Sequence, residues 1–315
     1  MSGRRGGRLA VPLAILALSG PGSAPAQQVA DSAFRPVVGA PAYPDGGGPV
    51  VLIDGGHHNF HTVDGRFLPF AELLRRDGYA VRGSTGPFTA ELLADADVLV
   101  VSNALAERNL EEWTLPTPSA FAEHEIDAVE RWVRDGGGLL LIADHMPFPG
   151  AVVELAARFG VFVGNGFAFP PDSSGLVRFR RAAGSLRPHP ISIGRAADER
   201  VDVVISFTGQ AFRLAAEIDA YPLLVLEPGS TLLLPVTAWE FSEQTPRIGA
   251  EGMLQGAALR VGAGRVAVFG EAAMFTAQLG GPERRPMGMN FPEAARNGQF
   301  ALNVLHWLTG LLPAR

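Results

Sequence analysis

From Val50 onward the chain alternates short apolar runs with longer stretches whose apolar residues recur every three or four positions. Val50–Asp54 reads as a buried strand and Tyr79–Arg82 as a second. Asp97–Ser102 lacks the in–out alternation of a half-exposed strand, so it predicts a third, buried on both faces. Leu139–Ala143 predicts a fourth. Between these runs, Phe67–Asp77 predicts a helix ended by Gly78, and Ser119 or Thr117 can cap a helix that continues to Arg134. That helix carries Phe121, Ile126, Val129 and Val133 on one stripe and stops at Gly136-Gly137-Gly138. A proline-marked turn leads to a further helix near Ala151–Arg158. Strands and helices in this order imply a parallel sheet with right-handed crossovers.

The texture changes across residues 161–250. Val201–Phe207, Leu223–Leu226 and Thr231–Val236 are short apolar runs among many Gly and Pro, which predicts antiparallel additions at the sheet edge. Ala257–Val261 and Arg265–Phe269, joined through Gly262-Ala263-Gly264, predict a hairpin. A helix from about Gln299 to Leu308 closes the chain. No internal repeat is visible, and no boundary splits the chain after residue 48. The expected fold is a three-layer α/β domain over residues 49–315, with a mostly parallel sheet flanked by helices and antiparallel additions in the C-terminal half. Residues 27–48, with Pro36, Pro41, Pro44 and Gly46-Gly47-Gly48, read as a flexible lead-in.

Composition narrows the setting. Of 315 residues, 47% are hydrophobic and 18% charged, enough for a substantial core. Arg4, Arg5 and Arg8 precede the short apolar run Leu9–Leu18, and Ala24-Pro25-Ala26 offers a small-residue cleavage site, so residues 1–26 predict a secretory signal peptide. The residues after Arg4-Arg5 fit general secretion better than twin-arginine export. The expected location is periplasmic or extracellular, with no membrane anchor after cleavage. The chain has no cysteine, which excludes disulfides, a thiol nucleophile and a Cys-ligated zinc. A net charge of −6 gives no basic footprint for nucleic acid.

Chemistry concentrates at the strand ends. A parallel sheet delivers its polar residues to one edge, where loops carry function on a rigid scaffold. The first strand ends at Asp54, followed by His57, His58, Asn59 and His61. The third ends at Ser102-Asn103, the fourth at Asp144-His145, and the last hairpin strand at Gly270-Glu271. Asp54, His57 and His61, with Asp144 or His145, could ligate a divalent metal such as zinc or manganese, which would activate a water. The alternative is that the histidines and aspartates only hydrogen-bond their turns. Asp144, His145 and Glu271 are the candidate catalytic groups, and His58, Asn59, Ser102 and Asn103 the candidate substrate-binding groups. Ser102 lacks the flanking glycines of a nucleophile elbow and reads as a turn cap. His124 reads as a solvated helix residue, His189 and His306 as structural. Met287–Pro292 reads as a lid or a plain surface loop.

The order of these motifs resembles a known superfamily. A strand-Asp-x-x-His, the run Asp-Val-Leu-Val-Val-Ser, then Gly-Gly-Gly-Leu-Leu-Leu-Ile-Ala-Asp-His, Gly-Arg-Val-Ala-Val-Phe-Gly-Glu and a closing Asn-x-Leu-x-Trp-Leu helix look like the class I glutamine-amidotransferase-like, flavodoxin-like superfamily. Within it the chain is most similar to exported DUF4350-like proteins and more loosely to ThuA-like proteins. The resemblance implies a nucleophile cysteine where this chain has Asp144-His145. It implies a catalytic His and Glu on the strand ending at Glu271, where only the Glu has a counterpart. Pro147 also prevents a helix from starting directly after the strand. Glutaminase chemistry is therefore excluded. Two readings stay open: a hydrolase, metal-assisted or not, acting on a small molecule, sugar or peptide derivative outside the cytoplasm, and a non-catalytic module that binds a ligand or partner.

Overall fold

The computed structural model describes residues 28–315, so the expected signal peptide over 1–26 lies outside the described residues. A nine-stranded sheet organises the molecule. Its strands are β1 (Val50–Asp54), β2 (Ala80–Ser84), β3 (Val98–Ser102), β4 (Gly138–Ile142), β5 (Val161–Val163), β6 (Phe212–Leu214), β7 (Ala220–Val225), β8 (Leu254–Val261) and β9 (Gly264–Phe269). The spatial order is β2-β1-β3-β4-β9-β8-β6-β5, with β7 also paired to β8. The first five of these run parallel, and β8, β7, β6 and β5 add antiparallel pairs at the far side. The helices are α1 (Leu68–Arg76), α2 (Ala90–Ala94), α3 (Glu123–Arg134), α4 (Phe148–Arg158), α5 (Pro190–Ile193) and α6 (Asn297–Leu308).

Period-two alternation along the parallel strands builds two cores. Val51, Ile53, Val98, Val100, Leu140, Ile142, Ala267 and Phe269 face α1 and α6 through Phe70, Leu74, Phe300 and Val304. Leu52, Leu99, Val101, Leu139, Leu141, Val266 and Val268 face α3 and α4 through Ile126, Val129, Val133, Val152 and Leu155. Each Val, Leu, Ile or Phe among them contributes roughly 1.5–3 kcal/mol when fully buried, which is why the parallel half reads as uninterrupted apolar runs. The hairpin between β8 and β9 turns at Gly262, whose φ of +60° lies in the left-handed region that glycine adopts without strain. Gly264 begins β9 so close to α3 that a Cβ there would collide with the Val133 carbonyl oxygen.

Several elements depart from the sequence reading. Helix α2 was not expected; it is five residues long and starts at Thr89, whose side chain accepts the Leu92 N–H at 3.2 Å. Helix α3 begins at Glu123 and is capped by neither Ser119 nor Thr117. Ser119 Oγ instead accepts the Phe121 N–H within its own turn. Only part of the segment 161–250 joins the main sheet. Phe167–Phe169, Thr231–Leu233 and Arg247–Gly249 form a separate three-stranded sheet, and Leu176–Arg180 pairs with Val203–Phe207.

The lead-in over 27–48 is also corrected from residue 28 onward. Val29–Ala30 pairs with Gln278–Leu279, the Asp77 carboxylate accepts the Ala42 N–H at 2.9 Å, and Tyr43 packs edge-on against Tyr79. These contacts hold the segment on the domain. The stretch at Met287–Pro292 is neither a lid nor a plain surface loop. Arg285–Gly288 is a strand paired with Ala277–Gly280, and Asn290 donates to Asp31 and to the Gln278 carbonyl. Among the described residues no helix is long and apolar enough to cross a membrane.

Candidate active site

The same alternation that builds the two cores divides the strand-end polar residues. Asp54 shares its face with Leu52 and so turns toward α3. Ser102, Asp144 and Glu271 share the parity of Val100, Ile142 and Phe269 and so belong to the opposite face. Two polar centres result instead of one.

The first centre is built on His57. Its Nδ1 lies 2.9 Å from Asp54 Oδ2 and its Nε2 2.9 Å from Glu125 Oε1 on α3. Ionised carboxylates only accept, so an imidazole held between two of them donates from both nitrogens and carries a positive charge. Burial alone would lower the His57 pKa, but hydrogen bonds and negative charge from Asp54 and then Glu125 outweigh it and raise the value. Burial likewise opposes ionisation of Glu125, yet the Ala122 N–H, His57 and the Phe88 N–H together hold its pKa low. Phe88 and Phe121 enclose the imidazole at ring separations of 4.4 and 4.7 Å. Every strong polar position on His57 is used, so this centre fastens the β1 turn to α3. Glu125 was missed as a site residue. Its signal was visible, because it lies on the apolar stripe between Phe121 and Val129.

The second centre is a carboxyl pair. Glu271 is wholly buried and accepts the Ala273 and Met274 N–H groups at 2.5 and 2.9 Å. Burial, and then the nearby negative charge of Asp144, raise its pKa well above the usual range. Asp144 retains some surface exposure, yet burial of its carboxyl is the main influence and raises its pKa as well. His145, its own backbone N–H and the Asn103 side chain pull in the other direction. Two neighbouring carboxyls raised in this way retain a proton between them above the ordinary carboxylate range.

His145 adds a group of opposite character. Its Nδ1 lies 2.8 Å from the Met146 carbonyl oxygen, which can only accept, so Nδ1 carries the proton and Nε2 offers a lone pair in the neutral ring. Among the described residues Nε2 has no hydrogen-bond partner and is not one of the buried unpaired atoms. The imidazole stacks on Phe167 at 4.6 Å and meets Trp239 edge-on at 4.6 Å, with Phe148 and Trp113 at 5.9 and 6.0 Å. Asn103 Oδ1 accepts the Asp144 N–H at 2.9 Å and so holds the start of this loop. A bridge between Thr114 and Thr237 brings the Trp113 and Trp239 loops together. As expected from Pro147, the chain does not enter helix at once, and α4 starts at Phe148. The aromatic residues were missed because they come from distant segments with no common period.

The remaining candidates separate. His61 is buried against Phe67, with Nε2 3.4 Å from Gln278 Nε2 and no partner for Nδ1. The proposed ligand set of Asp54, His57 and His61 with Asp144 or His145 is therefore corrected. His57 is saturated by carboxylates, His61 is walled in elsewhere, and among the described residues no three such side chains form a metal-binding group. Asn59 accepts the His57 N–H and supports the turn, and His58 is exposed beside it. Ser102 caps nothing, and its buried hydroxyl has no partner. His124 is exposed as expected, His189 accepts the Ile191 N–H, and His306 pairs with Asp77 at 2.6 Å. Among the described residues, four of the six non-glycine residues with left-handed φ are His58, Asn103, Thr208 and Trp239, all on loops at this edge. Such backbone is held only where surrounding contacts impose it.

No protein-family model and no curated protein matches the chain. Solved structures do. The N-terminal domain of mmIFT52 superposes with a TM-score of 0.57 at 15% identity, over 82% of this chain and 97% of that one. A ThuA-like protein from Bacteroides uniformis has a TM-score of 0.47 at 13% identity, over 88% and 96%. Another from Parabacteroides merdae has 0.45 at 12%, over 82% and 89%. At such identities the mmIFT52 likeness shows a shared fold and says nothing about chemistry.

Proposed function

We propose that the chain is an exported hydrolase whose site is the Asp144–Glu271 carboxyl pair together with His145. Its scaffold is of the amidotransferase-like type, akin to DUF4350-like and ThuA-like proteins, with the cysteine triad replaced. The observation that carries this reading is the juxtaposition of a buried carboxyl pair with an imidazole whose Nε2 lone pair is unpaired. The Asp144–Glu271 pair shares one proton, and Asp144, its partly exposed member, passes it to the leaving atom as the scissile bond breaks. His145 Nε2 takes a proton from the attacking water, whose oxygen forms the new bond. Glu271 touches no substrate; it is a positioning residue whose burial, beside the charge of Asp144, keeps the pair's proton in place.

The test is turnover of nitrophenyl esters, glycosides and phosphates by the whole protein. Asp144→Asn is expected to lower kcat by roughly 100-fold or more. Glu271→Gln removes the group that retains the pair's proton and should move the alkaline limb of the pH–rate profile to lower pH. Wild-type rates in Asp144→Asn, or no turnover of any probe by the wild type, would overturn the reading in favour of a binding module.

A further inference from the structure

We infer that Trp239, beside His145, forms a subsite for one pyranose ring of a carbohydrate substrate; this rests on Asp144 and His145 being the reacting groups. Trp239 is 52% exposed, although an indole gains by burial. Its backbone is also held at φ 68°, in the left-handed region that disfavours an L side chain. Neither cost serves the core. Contacts on one side fix the ring, with Phe167 at 4.6 Å, His145 at 4.6 Å and Phe241 at 6.4 Å. The rest of the indole remains available to a ligand.

Polar groups stand beside the indole. His145 Nε2 is an unpaired acceptor and Asp144 a carboxyl. A purely apolar ligand would strand these groups without partners, at a desolvation cost. A purely polar ligand would gain nothing from the indole. A pyranose presents an apolar face of C–H groups with hydroxyls around its rim, so it satisfies both at once.

Tryptophan fluorescence and calorimetric titration of the full chain with cellohexaose, xylohexaose, mannohexaose and chitohexaose tests this. At least one is expected to bind, and Trp239→Ala to weaken it roughly tenfold or more, the loss of about one good stacking contact. Trp239→Phe should fall between. Phe162→Ala, an exposed aromatic on β5 outside the wall, should bind as the wild type. Failure of every hexasaccharide to bind, or wild-type binding by a folded Trp239→Ala, overturns the inference. Loss of ester turnover in Asp144→Asn with no saccharide bound defeats the subsite alone. Trp239-dependent binding with no turnover of any probe leaves the subsite and defeats the hydrolase.

Discussion

His57 and His61 stand four positions apart on one turn, and their environments give them opposite dependence on pH. Burial, followed by the positive charge of Arg66, lowers the His61 pKa to about 3. Its folded value lies below its unfolded one, so the unfolded chain binds more protons between them. Stability is then full above the unfolded value and is lost as pH falls toward about 3. His189, lowered to about 4 by burial and then Arg265, acts in the same direction. His57 has a raised pKa, so its contribution is present in acid and is lost as pH rises through the folded value. Replacing His61 by Phe is expected to flatten the acid side of the stability curve by up to roughly 3 kcal/mol near pH 4, read from urea melts. An unchanged acid slope would show that His61 is not the group responsible. The sequence placed both histidines correctly at the end of β1 but could not separate them, because their neighbours Glu125 and Gln278 come from remote segments. Parity along the strands could have separated Asp54 from Asp144.

At the scale of elements, Glu125 joins three pieces of chain. Its carboxylate accepts the Phe88 and Ala122 N–H groups, each at 2.9 Å, and holds His57 Nε2. Glu125→Ala leaves two backbone donors and a buried imidazolium without that partner. The expected loss is about 3–5 kcal/mol in chemical denaturation, with Glu125→Gln costing less because its amide oxygen still accepts. A loss below about 1 kcal/mol would mean that water replaces the carboxylate and that the fastening is weak. The parallel elements were legible because burial on both faces writes an apolar run into each strand. Helix α2 was not, since five residues are too few to show a period. The short antiparallel elements were not either, because strands such as Val29–Ala30 find Gln278–Leu279 only through tertiary contact.

For the whole molecule, one sheet keeps two polar centres apart. The His57 centre sits toward α3 and makes the fold depend on a buried charge. The carboxyl pair sits on the other face, where Asp144 and His145 are partly exposed. The site is completed by loops that the sheet does not contain. Trp113 and Trp239 reach His145 only because Leu115 donates to the Val236 carbonyl at 2.9 Å and Ala238 to the Trp113 carbonyl at 2.8 Å. Thr114 and Val236, which this bridge also joins through the threonine hydroxyl, are 122 positions apart in sequence. Paired amides of this kind open together or not at all. In hydrogen–deuterium exchange, Leu115 and Ala238 should therefore share one protection factor, and a molecule resting on the tryptophans should slow both equally. Independent exchange at the two amides would show that the loops fluctuate separately.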